Sequence, residues 1–338
     1  MKQKTLLDEE NRLELLSQLG DPLEILNRVI KWEKFRSVLN QGSRKEDTGK
    51  GGRPSYDVVM MFKILVLQRL YNLSDDQTEY QINDRMSFMR FLGINLCEKV
   101  PDAKTIWKFK NDLAETVDKL FCMFDEHLEK EGLISHKGTI VDATFVDAPR
   151  QRNSRDENKK IKNGVIPEEW EKPENKSKLA QKDIDADWTK KNGERHFGYK
   201  DHVKCDADSK LITNYSVTSA SVHDSQRCLV FIGQEDEVLY ADSAYSGKPI
   251  ALALPENCKN QICEKGYRNS PLTSEQKMNN RRKSRIRCRI EHIFGFITGA
   301  MHGITVRSIG ITRAWMNIGI TNLVYNFCRY SYLKRASA

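Results

Sequence analysis

The chain has 338 residues, with 55 Lys and Arg against 47 Asp and Glu, a formal charge of +8 and a pI of about 8.9. At roughly 100–200 residues per domain this length predicts two or three domains, with ample chain for a buried core. The longest apolar stretch, residues 58–73, is broken by Lys63 and Arg69, and the first ten residues lack the apolar run of a signal peptide, which argues against a membrane or secreted protein and predicts a cytoplasmic one.

The eight cysteines are scattered without a Cys-x-x-Cys pair. That excludes a zinc ribbon or a disulfide scaffold and predicts reduced thiols. A mild positive excess suits a polyanionic partner without demanding one, so the placement of the charge matters more than its sum.

Up to Gly132 the sequence reads as all helix. Apolar clusters at helical spacing (Leu13, Leu16, Leu19; Leu23, Leu26, Ile30) precede a polar run that ends in Gly51-Gly52-Arg53-Pro54, a chain punctuator. A helix is predicted from about Tyr56 to Tyr71. Ser74-Asp75-Asp76-Gln77 is a capping-box pattern for the next one. A single helix is predicted after Pro101-Asp102, its stripe running from Ile106 to Leu128 and ending at Gly132.

After Gly132 the period changes. Thr139–Asp147 reads as a strand. Residues 150–195 mix thirteen Lys/Arg with ten Asp/Glu and show little apolar pattern, the mark of a functional or disordered connection. Two strands, 199–206 and 211–220, are predicted as a hairpin around Ala207-Asp208-Ser209-Lys210. A helix over 223–232, a short buried strand at 238–242, a helix at 249–253 and a strand at 261–264 follow. One long helix is predicted for 274–300 and another for 312–333. This order is a mixed sheet with flanking helices, the element order of the ribonuclease H fold.

Three carboxylates fall at telling places. Asp142 lies mid-strand among apolar residues, where an acid is costly unless it is paired or holds a metal. Asp242 ends a strand, where sites of open α/β sheets lie. Glu291 follows a run, 276–290, with seven Lys/Arg and no acid. An unmixed run such as Arg281, Arg282, Lys283, Arg285, Arg287 and Arg289 suits a phosphate backbone better than a solvated face. Lys200, His202 and Lys204 alternate on one strand face and are candidates for the same role, with an exposed strand face as the plain alternative. Trp170 and Trp188 are read either as base-stacking residues or as anchors of the insertion. Asp206 and Asp208 read as turn formers and His223-Asp224 as a helix cap.

Several blocks resemble the DDE transposases of bacterial insertion sequences, most closely the insertion-sequence-five type. They are Gly138-Thr-Ile-Val-Asp-Ala-Thr144, His196-Phe-Gly-Tyr-Lys-Asp-His202, Val222-His-Asp224, Ala241-Asp-Ser-Ala-Tyr-Ser-Gly247 and Ile286-Arg-Cys-Arg-Ile-Glu-His-Ile-Phe294. Gly52-Arg-Pro-Ser-Tyr56, Tyr71-Asn-Leu-Ser-Asp75 and Val100-Pro-Asp-Ala-Lys-Thr105 resemble that family's N-terminal region. Together they cover most of the chain, in order. The resemblance implies a catalytic and metal-binding triad of Asp142, Asp242 and Glu291, with Arg287 completing an Arg-x-x-x-Glu signature. Ile297 and Thr298 stand where many members have a Lys, and Ser284 where they have a Tyr.

The implied activity is cleavage at element ends and strand transfer into target DNA. Two Mg2+ ions, replaceable by Mn2+, would be bridged by Asp142 and completed by Asp242 and Glu291. Residues 1–135 are expected to be a helical domain that binds terminal inverted repeats, and 136–338 a ribonuclease H-like catalytic domain interrupted at 150–195. A homo-oligomer holding two ends on the nucleoid is implied. The rival readings are a nuclease of the same fold without strand transfer, and a DNA-binding protein derived from a transposase.

Overall fold

Local capping chemistry and apolar spacing account for the helices at the start of the chain. The computed structural model describes residues 8–42, 55–191 and 193–336. The Gly51–Pro54 punctuation, and with it most of the Gly52–Tyr56 block, lies outside the described residues. Eight helices precede the first strand among the described residues: α1 (Asp8–Gln18), α2 (Pro22–Val29), α3 (Arg36–Gly42), α4 (Val58–Leu70), α5 (Asp75–Asp84), α6 (Met86–Leu92), α7 (Ala103–Asp112) and α8 (Val117–Lys130).

The Asp57 carboxylate accepts from the N–H groups of Val59 and Met60 at the start of α4, and both halves of the Ser74/Gln77 capping box are made on α5. The single helix expected after Asp102 is two. α7 closes at Asp112, and the Thr116 hydroxyl donates to the Leu113 carbonyl in the turn before α8. Leu113 is fully buried in that turn, so one apolar stripe serves two helices.

Contacts divide the chain into two compact units, Met1–Met123 with Leu323–Ala338, and Phe124–Asn322. The first is centred on aromatic rings. Trp32 meets Phe62, Phe91 and Phe327 edge-on at 6.2, 5.5 and 5.5 Å, geometry favoured by the ring quadrupoles.

The second unit is built on a six-stranded mixed sheet: β1 (Thr139–Asp147), β2 (Asp187–Lys191), β3 (Glu194–Asp206), β4 (Ile212–Ser219), β5 (Val238–Tyr240) and β6 (Lys259–Asn260). β3 lies antiparallel between β1 and β4, while β5 runs parallel to both β1 and β6. The last strand falls two residues before its expected place. Its pairing continues in the loop, where Gln261 and Cys263 donate backbone N–H groups to Leu239 and Ala241. In the β3–β4 turn the Asp206 carboxylate accepts from the N–H groups of Asp208 and Ser209, the turn role expected of it.

The polar stretch 150–195 is structured. It holds α9 (Arg155–Lys162), α10 (Glu168–Glu171), α11 (Lys176–Ala180) and β2. Its anchors are polar: the fully buried Trp170 donates its indole N–H to Glu157 at 2.8 Å, and the buried Asp183 accepts the Tyr199 hydroxyl at 2.7–2.8 Å. Trp170 is therefore an anchor. Helices α12 (Ser225–Phe231), α13 (Lys248–Ala253), α14 (Ser274–Arg287), α15 (Arg289–Gly299) and α16 (Ile311–Ala336) complete the chain. The long helix expected over 274–300 is interrupted at Cys288, between α14 and α15.

Candidate active site

Asp142 and Asp242 meet through sheet register. Ile140 on β1 pairs in parallel with Tyr240 on β5. Asp242 lies two residues beyond that pair, just past the end of β5, close enough for its charge to act on Asp142. Asp142 accepts from its neighbour's N–H, Ala143, at 2.8 Å. Asp242 leaves the end of β5 and caps the short turn Ser243–Tyr245, accepting from the Ala244 N–H at 2.7 Å.

Glu291 and Arg287 come from the helix break. Arg287 ends α14 and Glu291 lies in the first turn of α15. A cation at a helix C-terminus and an acid at an N-terminus each complement the helix dipole. The Arg287 guanidinium spans the two acids, donating to Asp142 Oδ2 at 3.0 Å and to Glu291 Oε1 at 2.7 Å. The sequence pattern contained the second pairing, four residues apart on a helix, and not the first.

Burial sets the electrostatics. The Asp142 side chain is 16% exposed. Burial pushes its pKa up to about 6, opposed by the Ala143 N–H and Arg287 and reinforced by the charge of Asp242. Burial works against the charged form of Arg287, but Asp142, Glu291 and Asp242 outweigh it and raise its pKa. Arg287 thus lies in the field of all three acids.

Three carboxylates are a hard-oxygen donor set of the kind that takes a divalent cation. The set fits: a half-buried acid beside a second one calls for positive charge, and Arg287 supplies one unit of it here. The three do not close into a tight cage. Among the described residues the trio of ligand-type atoms within 4.8 Å of one another is His136, Glu235 and Asp236. There the Lys204 ammonium already pairs with Asp236 at 2.9 Å.

The basic run divides in two. Lys277, Arg281, Arg282 and Arg285 are exposed along α14, beside an open groove of about 630 Å³ that ends at Cys288. Lys283 instead donates to the Ile262 carbonyl at 2.9 Å, and Arg289 to the Ala207 carbonyl at 2.7 Å and Asp208 at 3.0 Å. Those two cations brace the fold.

Lys200 and His202 require a correction as DNA-facing residues, because both are buried. Lys200 donates to Asp224 at 2.7 Å and to the Val222 carbonyl at 2.6 Å. His202 bonds Thr218 Oγ1 at 2.8 Å, and burial pushes its pKa down to about 4, so it is neutral at pH 7. Lys204 is likewise buried against Asp236. Asp224 holds Lys200 and makes no side-chain cap to α12. Trp188 is half-buried against Phe197, with Arg150 over its ring at 5.9 Å.

Residues 134–327 match the family Transposase DDE domain, and residues 10–112 match Transposase domain (DUF772). The chain belongs to the DDE transposase family. It is a DNA transposase, an enzyme that cuts DNA strands and transfers them, with a divalent metal in its chemistry and DNA as its partner. A solved structure, the piggyBac transposase synaptic complex with hairpin DNA determined by cryo-EM, is similar at 13% identity and a TM-score of 0.45, over 93% of this chain and 73% of that one. No helix among the described residues is long and apolar enough to cross a membrane.

Proposed function

We propose that the second unit is a ribonuclease H-like catalytic domain whose acids are Asp142, Asp242 and Glu291. The observation that carries this reading is the bridge that Arg287 makes between Asp142 on β1 and Glu291, with Asp242 just past the end of the parallel neighbour β5. The strand order β4-β3-β1-β5-β6, antiparallel in its first half and parallel in its second, supports the fold assignment.

The three carboxylates would hold Mg2+, which when bound as a pair activates the attacking oxygen and stabilises the leaving oxygen of an in-line phosphoryl displacement. Asp142 is fixed on the central strand by its Ala143 bond. Asp242 is fixed by its turn. Glu291, with its side chain 57% exposed, is the acid open to substrate. Arg287 orients two of the acids and, once they are otherwise neutralised, presents a planar fork to phosphate oxygens. The exposed cations of α14 lie just upstream and suit the DNA backbone.

On this reading the substrate is an insertion-sequence end, in a bacterial setting, and the helical N-terminal region carries end recognition. The match of residues 10–112 to a transposase domain supports that assignment. The test is a cleavage and joining assay on the DNA flanking the gene, with and without Mg2+. Joining that depends on Mg2+ and on all three acids supports the reading. Metal-independent cleavage, or full activity without any one acid, overturns it.

A further inference from the structure

The insertion's hairpin is continuous with the central sheet, because β3 runs from the arm into the strand that pairs with β1 along Asp142. β2 pairs with the first five residues of β3, from Asp187↔Gly198 to Lys191↔Glu194. Gly198 is where this arm meets the main sheet. Its φ of +146° and the Val146 carbonyl, 2.3 Å from where a Cβ would sit, leave room only for glycine. The arm turns back over β1 there. The His196 ring stacks on Phe145 at 4.2 Å and 4°, and the Lys191 ammonium lies 5.6 Å from the same ring. Lys191 also acts electrostatically on Asp142.

Lys191 faces Glu194 across the hairpin, an ordinary opposite-charge pair. The neighbouring pair is Lys190↔Arg195, two exposed cations directly opposite each other. Like charges in that relation destabilise a hairpin. Among the described residues neither makes an ion pair within 4 Å, while Lys200, further along β3, does. A destabilising pair of this kind, on an arm that continues the strand paired with β1, points to an anionic ligand that relieves it.

We propose that the β2–β3 hairpin is a DNA-binding arm, with Lys190 and Arg195 taking backbone phosphates of the duplex flanking the catalytic acids. This rests on the reading of Asp142 as a site residue, because the arm's position is defined relative to it. The contact is electrostatic and carries no sequence information of its own.

The test uses the full chain and a mixed-sequence DNA duplex, followed by fluorescence anisotropy over a salt series. Lys190→Gln with Arg195→Gln should lower the slope of log affinity against log salt by about 1.8, two phosphate contacts' worth. Lys159→Gln with Lys160→Gln, which removes two exposed charges of α9 in the same insertion, should leave the slope unchanged. Lys190→Glu should weaken binding at least tenfold while keeping or raising the melting temperature, because it turns the like-charge pair into an opposite one. A wild-type slope in the hairpin variant, or an equal loss in the α9 variant, overturns the arm. Binding is the readout, so that outcome leaves the catalytic reading of Asp142 standing. An inactive-site result from cleavage assays would leave the arm's binding standing in turn.

Discussion

Arg287 donates to Asp142 at 3.0 Å across 145 positions of sequence, joining the end of a helix to the middle of the central strand. The same guanidinium holds Glu291 at 2.7 Å. One planar group therefore sets the relative placement of two acids from different elements, and Lys, a point cation with a flexible stem, has no equivalent geometry.

Asp142→Asn, Asp242→Asn and Glu291→Gln are each expected to lower strand cleavage at least a hundredfold, about 2.7 kcal/mol of transition-state stabilisation. Duplex affinity should stay within about threefold, because exposed cations rather than these acids supply it. Single-turnover cleavage and anisotropy, measured on the same preparations, separate the two effects. Cleavage within tenfold of wild type for one variant would remove that residue from the site.

Arg287→Lys should reduce cleavage at least tenfold, about 1.4 kcal/mol, with little change in the salt dependence of binding because the charge is kept. Arg287→Gln should cost more, since it removes the cation hydrogen-bonded to Asp142. The ratio of the two variants' rates is the measurement: equal losses would mean that charge contributes nothing beyond the fork.

Lys200→Met is expected to unfold the protein more easily without weakening DNA binding. The Lys200–Asp224 pair has side chains 9% and 13% exposed, and removing one partner of a buried pair costs roughly 3–5 kcal/mol by stranding the other. Denaturant melts should show that loss, and restoring a neutral partner with Asp224→Leu in the same chain should recover part of it. An unchanged melt with a reduced salt slope would return Lys200 to the DNA-contacting set.

The strands and caps were legible because their signals are local. Thr139–Asp147 is rich in β-branched and aromatic residues and is bounded by Gly138 and Pro149, and Ser74/Gln77 carries its own capping chemistry. The three proposed acids stood out in different ways: Asp142 as an acid among apolar strand residues, Asp242 at a strand end, and Glu291 through the family resemblance. What was hidden depends on partners distant in sequence. Lys200, His202 and Lys204 alternate like a basic surface, and nothing in that strand announces Asp224, Thr218 or Asp236. The insertion reads as patternless because Trp170 and Asp183 hold it through polar contacts at isolated positions rather than through an apolar period. The breaks at 113–116 and at Cys288 carry neither Gly nor Pro, so periodicity ran straight through them.

Asp201 gives stability a pH dependence of predictable sign. It is fully buried on β3, accepts one bond from the Asn322 amide at 3.1 Å, and leaves its Oδ2 without a partner, as Asn322 leaves its own oxygen. Burial pushes its pKa up to about 8 from an ordinary 3.8, with the Asn322 bond opposing. The folded state therefore holds a proton that the unfolded chain releases, and stability falls as pH rises from about 4 to about 8. Asp201→Asn keeps an amide or acid partner for Asn322 and removes that slope. The variant should match wild type near pH 4 and exceed it at pH 8 by roughly 2–4 kcal/mol, at about 1.4 kcal/mol per pKa unit less relaxation. Urea melts at the two pH values decide it, and a gain independent of pH would contradict the assignment.

The N-terminal unit takes part of its core from Leu323–Ala338. A fragment of residues 1–135 holds α1 to α8, yet the compact unit that contains Met1–Met123 also takes in Leu323–Ala338. Phe327 is fully buried and meets Trp32, Phe35 and Phe62 at 5.5, 5.7 and 6.4 Å. Cutting the chain at 135 removes that ring and leaves an apolar hole among three others. Truncating a buried Phe costs roughly 3–5 kcal/mol through lost transfer energy and the cavity left behind, a large share of a domain's roughly 5–15 kcal/mol. Phe327→Ala in the full chain should therefore destabilise the N-terminal unit as much as Phe62→Ala does. The isolated 1–135 fragment should melt broadly, and a peptide spanning residues 311–336 should sharpen that transition. Thermal melts of the fragment with and without the peptide make the comparison. A cooperative melt of the fragment alone, with no response to the peptide, would show that the helical unit is complete without its C-terminal piece.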